Sequence, residues 1–338
     1  KLAGFQRQQF RVANVVNCQP PNDYLAGAPY EYEAIERCRV HRDRIIETTR
    51  PKCILALGEI AFRTLTGLCG HKQTISYMRG YVMDSTYGIP LVGTYHPSFI
   101  KRGNQRLTGV CINDLQRSIA VARDKGTSGV SSPNYTTSPT HGEAIAFYDK
   151  VRSDMGALLA YDIETPWSGQ VEEDEFLDEE KEQALKEGYN DAEITTVQFS
   201  LGASTGICLP FIEPFIGIIS RILALENEKV THNGWRFDNP RLQKAGIEVK
   251  GVVHDTMWAF HHLQPDLMGN YNLQSVASFY NFPFPWKHLN KSQPEFYGCC
   301  DVDALQYIFP ALKKQMIEKG VWDGYQHKYG GYIGHVLG

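Results

Sequence analysis

The sequence predicts an α/β protein of two domains. Three observations carry that prediction: a length of 338 residues, short apolar runs that alternate with helical patterns, and one interior stretch almost free of apolar residues. At roughly 100–200 residues per domain, the length corresponds to about two domains. Hydrophobic residues make up 42% and charged residues 21%, which excludes wholesale disorder and collagen-like repeats. No run approaches the roughly 18 apolar residues of a membrane span, and no signal-like start is visible. The expectation is therefore a cytoplasmic protein with no membrane partner. A first residue of Lys rather than Met adds the expectation that the natural N-terminus lies upstream.

The interior stretch, residues 124–142, reads DKGTSGVSSPNYTTSPTHG. It cannot bury enough surface to offset its ordering entropy, so it is expected to be a linker. Its Asn134-Tyr135-Thr136 spells a glycosylation sequon, read as chance for want of a secreted context. The predicted domains are then 1–123 and 143–325, with 326–338 leading onward.

In the first domain, ANVVN (13–17), ILAL (54–57) and IPLVGTY (89–95) are short apolar runs, read as strands. Helical patterns at 34–48 and 59–66 separate them. Alternation of this kind predicts an α/β sandwich with a mainly parallel sheet. In the second domain, residues 157–163, 194–201 and 206–210 read as successive strands. A helix at 215–225, a strand at 229–232 and further helices follow. That order is compatible with an RNase H-like mixed sheet, although periodicity alone does not select it.

Charge is unevenly divided. Residues 1–125 carry 18 Lys and Arg against 10 Asp and Glu, whereas the rest carry 16 against 28. Such a split fits nucleic-acid contact by the basic half, and equally two domains of unlike pI. The acidic stretch 172–188 holds nine of the acids and reads as a solvated helical insertion.

Chemistry concentrates in three places. Asp162 and Glu164 end the apolar run LLAYDIET, and residues two apart on a strand face the same side. Two acids so placed suit a cation between them, or else mark a solvated strand end. Asp238 lies in HNGWRFDNPRL, as a third acid or as a helix cap. Tyr297 and Asp301 lie four apart in the helical pattern FYGCCDVDALQYIF and share a face. Asp303 falls two residues further on and should point elsewhere. Four hard oxygen ligands suit two Mg²⁺ or Mn²⁺ ions and phosphodiester hydrolysis.

These motifs, Asp162-Ile163-Glu164, Asn233-Gly234-Trp235-Arg236-Phe237-Asp238 and Tyr297-Gly298-Cys299-Cys300-Asp301, resemble those of the DEDD-type 3′→5′ exonucleases, Tyr variant, over about residues 155–315. The resemblance implies that Asp162, Glu164, Asp238 and Asp301 bind two divalent ions and that Tyr297 orients the attacking water. It implies a frayed single-stranded DNA 3′ end as substrate, as in proofreading. HDTMWAFHHLQPDL, LQSVASFY and the closing GGYIGHVLG also resemble phage family A DNA polymerases. That implies a polymerase domain in cis beyond this chain, a primer-template partner, further replication proteins as partners, and a bacterial host cytoplasm.

Eight cysteines without a secretory context point to thiols or metal ligands rather than disulfides. Cys53, Cys111, Cys299 and Cys300 read as core or wall residues. Cys18 in NVVNCQPP and Cys38 in AIERC, with ILALGEIAFRTLTG, MRGYVM and GTYHPSFIKR, resemble the uracil-DNA glycosylase superfamily, nearest its iron–sulfur types, over about residues 1–120. The resemblance implies that Cys18 and Cys38 are two of four [4Fe–4S] ligands, the other two lying upstream of Lys1. Two reduced structural thiols are the alternative. It also implies that Asn14 reads a flipped base and that His96 stabilises charge developing on uracil. Lys101, Arg102 and Arg106, beside the HPS turn, are candidate contacts to the DNA backbone. The superfamily's water-positioning motif would precede Lys1, so an active glycosylase and a DNA-binding or uracil-sensing relic both fit.

The leading expectation is the N-terminal part of a family A polymerase, with a glycosylase-like module ahead of a proofreading exonuclease. A free-standing repair exonuclease fused to an active glycosylase is the second. A non-catalytic scaffold for replication partners is the third.

Overall fold

The computed structural model describes residues 6–123, 132–166, 193–265, 267 and 271–329. The chain divides into two units. The first comprises Lys1–Val130 with Leu267–Gly269 and Pro283–His288; the second comprises Ser131–Asp266, Asn270–Phe282 and Leu289–Gly338. Both are α/β, as predicted. The acidic stretch 172–188, linker residues 124–131 and the closing 330–338 lie outside the described residues.

The first unit is built on a three-stranded sheet ordered β1 (Ile54–Leu57), β3 (Pro90–Thr94), β2 (Val82–Asp84). β1 and β3 are parallel, with Ile54 opposite Leu91, whereas β2 runs antiparallel to β3. The sheet among the described residues is thus mixed rather than mainly parallel. Residues 13–17, expected as a strand, form none: the segment is irregular and Asn14 is exposed. Val-rich composition favours a strand only where a neighbour offers a pleated, half-buried surface.

The helical pattern at 34–48 resolves into α1 (Glu31–Arg37) and α2 (Arg39–Thr49), meeting at Cys38. α3 (Glu59–Thr66) matches its expected bounds. Short helices α4 (Ile75–Met78) and α5 (Pro97–Lys101) and the long α6 (Thr108–Arg123) complete the unit. Ala56, Phe62, Leu65, Ile75, Met78 and Leu91 form its core. Beneath β3, the Arg79 guanidinium and the Asp114 carboxylate form a buried ion pair, and Thr94 Oγ1 donates to the same carboxylate at 2.7 Å.

The second unit carries a six-stranded sheet ordered β4-β7-β6-β5-β8-β9. β5 (Leu159–Glu164), β6 (Thr196–Ser200) and β7 (Thr205–Pro210) form an antiparallel meander. β8 (Lys229–Thr231) and β9 (Val253–Asp255) extend it in parallel. The predicted strands are present within two residues of their bounds. Two strands were not anticipated: β9, and β4 (Asn134–Thr136), which pairs in parallel with β7. β4 corrects the linker at 124–142, because three of its residues are an edge strand and the helix α7 (His141–Ser153) opens inside it. Tyr and Thr have the β-propensity for this edge, but a three-residue polar strand leaves no periodic signal.

α8 (Phe215–Leu223) and α7 pack with the sheet around Leu159, Tyr161, Val197, Phe199 and Leu209. α9 (Asp238–Lys244), α10 (Thr256–Leu263), α11 (Leu273–Ala277), α12 (Pro294–Glu318) and α13 (Trp322–Tyr329) follow. Among the described residues no helix is long and apolar enough to cross a membrane.

Candidate metal centre

β5 is a central strand flanked by β6 and β8. β8 pairs only with Leu159 and Ala160, so the last residues of β5 run beyond it. Asp162 and Glu164 occupy that free end and share one sheet face. Across the antiparallel ladder Asp162 lies opposite Gln198, and Glu164 opposite Thr196.

α12 brings the third carboxylate. Two glycines set its close approach. A Cβ on Gly298 would stand 2.6 Å from the Gln198 side chain, and one on Gly206 would stand 3.3 Å from Cys299 Cα. With the helix held so close, Asp301 reaches the end of β5. Oxygens of Asp162, Glu164 and Asp301 lie within 4.8 Å of one another. Like charges at this spacing are costly alone and favourable around a cation. Hard carboxylate oxygens suit Mg²⁺ or Mn²⁺, so the donor set fits the expected metal.

Tyr297, largely buried at 9% exposure, lies one helical turn before Asp301 on the same face. Asp303 faces elsewhere, as predicted. It accepts the Tyr135 hydroxyl at 2.6 Å and the Ser204 N–H at 2.7 Å, tying α12 to β4 and β7. Burial pushes its carboxyl up to about 6. Cys299 and Cys300 are fully buried, and burial pushes both thiols up. They are wall residues, as expected.

Asp238 is placed differently. It is not in the three-carboxylate group; it opens α9, fully buried, and its Oδ1 accepts the Ile163 N–H at 2.9 Å. It therefore supplies the acceptor that β8 no longer provides at that point of β5. The next residue, Asn239, accepts the Tyr161 hydroxyl at 2.5 Å. These two contacts flank Asp162 along the strand. Burial, with the nearby Asp255 charge adding, pushes the Asp238 carboxyl up to about 8.

Two residues at the site escaped sequence reasoning. Gln198 Nε2 donates to Thr196 Oγ1 at 2.6 Å and to Cys208 Sγ at 3.4 Å, beneath Gly298. Its signal is the alternation Thr196, Gln198, Ser200 within an apolar strand. Asp255 ends β9 and accepts backbone N–H groups from Asn233, Trp235 and Met257. HDTMWAF contains it, but nothing in its spacing marks it.

In the first unit, His96 caps α5. Its Nδ1 accepts the Ser98 N–H at 3.1 Å, so the neutral ring carries its proton on Nε2. Gly58, at φ +82, brings the turn after β1 against His96, where a Cβ would stand 2.9 Å from the His96 Cβ. Lys101, Arg102 and Arg106 follow on exposed positions, Arg102 Nε donating to Ser98 O at 3.2 Å. Cys18 is exposed and Cys38 buried. Asn17 N–H donates to Cys38 Sγ at 3.4 Å; this bond, with further ones from Cys18, lowers the Cys38 thiol pKa. The two thiols are thus brought together.

A type-4 uracil-DNA glycosylase of Thermotoga maritima is 28% identical over 125 residues, 37% of this chain and 62% of that protein. The chain therefore spans about three-fifths of that relative's length. Among solved structures, Brucella melitensis NrnC with bound Mg²⁺ is 17% identical, with 52% of this chain and 82% of that chain covered and a TM-score of 0.39. Escherichia coli RNase D, an exoribonuclease involved in structured RNA processing, is 16% identical, with 58% and 47% covered and a TM-score of 0.38. Residues 1–116 match the family model described as the uracil DNA glycosylase superfamily.

Proposed function

We propose that the second unit is a metal-dependent 3′→5′ exonuclease acting on single-stranded DNA ends. The convergence of Asp162, Glu164 and Asp301 within 4.8 Å is the observation that carries this reading. Those three carboxylates, with Asp238 as a fourth candidate, would hold two divalent ions, which when bound would supply charge stabilisation to the oxygens of a scissile phosphodiester. The remaining work falls to the chain. Tyr297 orients the attacking water by its hydroxyl, and α12 fixes its position relative to Asp301. The test is incubation of a 5′-labelled single strand with Mg²⁺. Progressive shortening from the 3′ end with release of nucleoside monophosphates supports the reading; internal cuts or no cleavage contradict it.

The exonuclease reading extends to proofreading in cis with a family A polymerase. Its support is the resemblance of the segments around Asp255 and Leu273 to such polymerases. The sequence of the gene beyond Gly338 is the check.

A second activity has its own observation. His96 presents a proton-bearing Nε2 at the end of β3, the group an excision site uses to stabilise charge on a departing base. Asn14 would read that base, and Lys101, Arg102 and Arg106 would contact the backbone. Cys18 and Cys38, side by side, would supply two of the four thiolates of a [4Fe–4S] cluster. We read the first unit as a uracil-sensing DNA-binding module. Abasic-site formation on uracil-containing DNA, lost in His96→Ala, would show full excision instead.

A further inference from the structure

We propose that Asp255 is a positioning residue of the carboxylate site, acting through the turn that carries Asp238. The proposal rests on the exonuclease reading for its catalytic consequence, though not for its geometry.

Asp255 is fully buried at the end of β9, where it is paired with Thr231. Its carboxylate caps α10 by accepting the Met257 N–H at 3.0 Å on Oδ1. A cap needs no more than that. Yet Oδ1 also accepts the Asn233 N–H at 3.0 Å, and Oδ2 the Trp235 N–H at 3.4 Å. Both donors belong to the preceding connection, so one buried carboxylate clamps two separate segments.

The clamped connection is a strained and tightly packed turn. Asn233 adopts φ +60, the left-handed region that Asn tolerates better than most residues. A Cβ on Gly234 would stand 2.3 Å from Thr231. From this turn the hydrogen bonds run forward. Phe237 N–H donates to Asn233 O at 3.0 Å, and Asn239 N–H to Gly234 O at 2.8 Å. Asp238 and Asn239 thereby take fixed places, and both reach β5. Asp238 accepts from the Ile163 N–H and Asn239 from the Tyr161 hydroxyl. Hydrogen bonds joined by one-residue backbone steps thus link Asp255 to the two neighbours of Asp162.

The experiment measures amide hydrogen exchange and 3′-end hydrolysis in the full chain and in two variants. Asp255→Ser keeps an N-cap oxygen but has no second acceptor. Asp255→Asn keeps the shape while turning an amide N–H₂ toward one of the backbone donors. Expected in both is exchange at Asn233, Trp235 and Ile163 faster by about tenfold or more, with α10 amides still protected in Asp255→Ser. The turnover number on single-stranded DNA falls by about tenfold to a hundredfold, while KM changes little. Ile163 is the deciding reporter, since it lies on a different strand and a cap alone would not touch it. Unchanged Ile163 exchange in both variants overturns the proposal. Should Asp255→Ser fail to fold, the isosteric Asn variant carries the same reading. A wild-type chain without nuclease activity defeats the exonuclease reading, and the exchange data still decide the role of Asp255.

Discussion

Asp238 Oδ1 accepts the Ile163 N–H at 2.9 Å, placing a fully buried carboxylate on the one backbone amide that lies between Asp162 and Glu164. The contact joins the second acidic motif to the first through the backbone of β5. It has consequences for pH, for metal binding and for the order in which substitutions fail.

Burial pushes the Asp238 carboxyl up to about 8, which favours its protonated form at neutral pH when no cation is bound. For an acid whose folded pKa exceeds its unfolded value near 4, the folded state binds more protons across that window. Its contribution to stability therefore declines as pH rises from about 4 to about 8. A cation needs the ionised form. Affinity for Mn²⁺ is expected to rise with pH up to about 8 and then level off, with proton release on binding at pH 7. Calorimetry in buffers of different ionisation enthalpy checks this, and Asp238→Asn removes the rise.

Asp301 and Asp303, two residues apart on α12, should separate cleanly. Asp303 holds Tyr135 and Ser204 and lies outside the carboxylate group. Tyr135→Phe is expected to cost about 1 kcal/mol, the net value of one such bond, and to leave nuclease turnover within about twofold. Urea denaturation and a rate measurement on one preparation decide it.

Much of this was legible in advance, and the reasons are physical. β5, β6 and β7 announced themselves because each is an apolar run bounded by polar residues. The three acidic motifs were readable because strand and helix periodicities fix which residues share a face, and Asp162, Glu164 and Asp301 do converge. Asp238 was legible as a candidate, but its bond to Ile163 was not, because that bond depends on where β8 stops. Asp255 was invisible for a similar reason: its three partners lie in two segments, and no spacing rule couples them. The strand expected at 13–17 failed on tertiary grounds, since an apolar run forms a strand only beside another.

Gly298→Ala offers a steric test. The added methyl would stand 2.6 Å from the Gln198 side chain, so α12 or Gln198 must shift. A displacement near 1 Å at a reacting centre can cost about a hundredfold in rate. The expected outcome is a nuclease loss of about that size, alongside a modest change in thermal midpoint. Full activity would show that Gln198 rearranges without moving Asp301.

In the first unit, the buried Arg79–Asp114 pair predicts an asymmetry. Asp114→Ala removes the carboxylate that faces a buried guanidinium and leaves Thr94 Oγ1 without that acceptor, so a destabilisation of about 3–5 kcal/mol is expected. Removing both charges together, as Arg79→Met with Asp114→Leu, should cost less. Chemical denaturation of the single and double variants measures the difference.

In the proposed exonuclease the carboxylates on β5 and α12 would hold the divalent cations needed for hydrolysis at a DNA 3′ end. The most direct test of this assignment is the single-turnover rate of 3′-nucleotide release with Mg²⁺, in the wild type and in the Asp162→Ala, Glu164→Ala double variant. A folded double variant slower by about a thousandfold or more is the predicted result. A double variant that retains the wild-type rate would contradict the assignment.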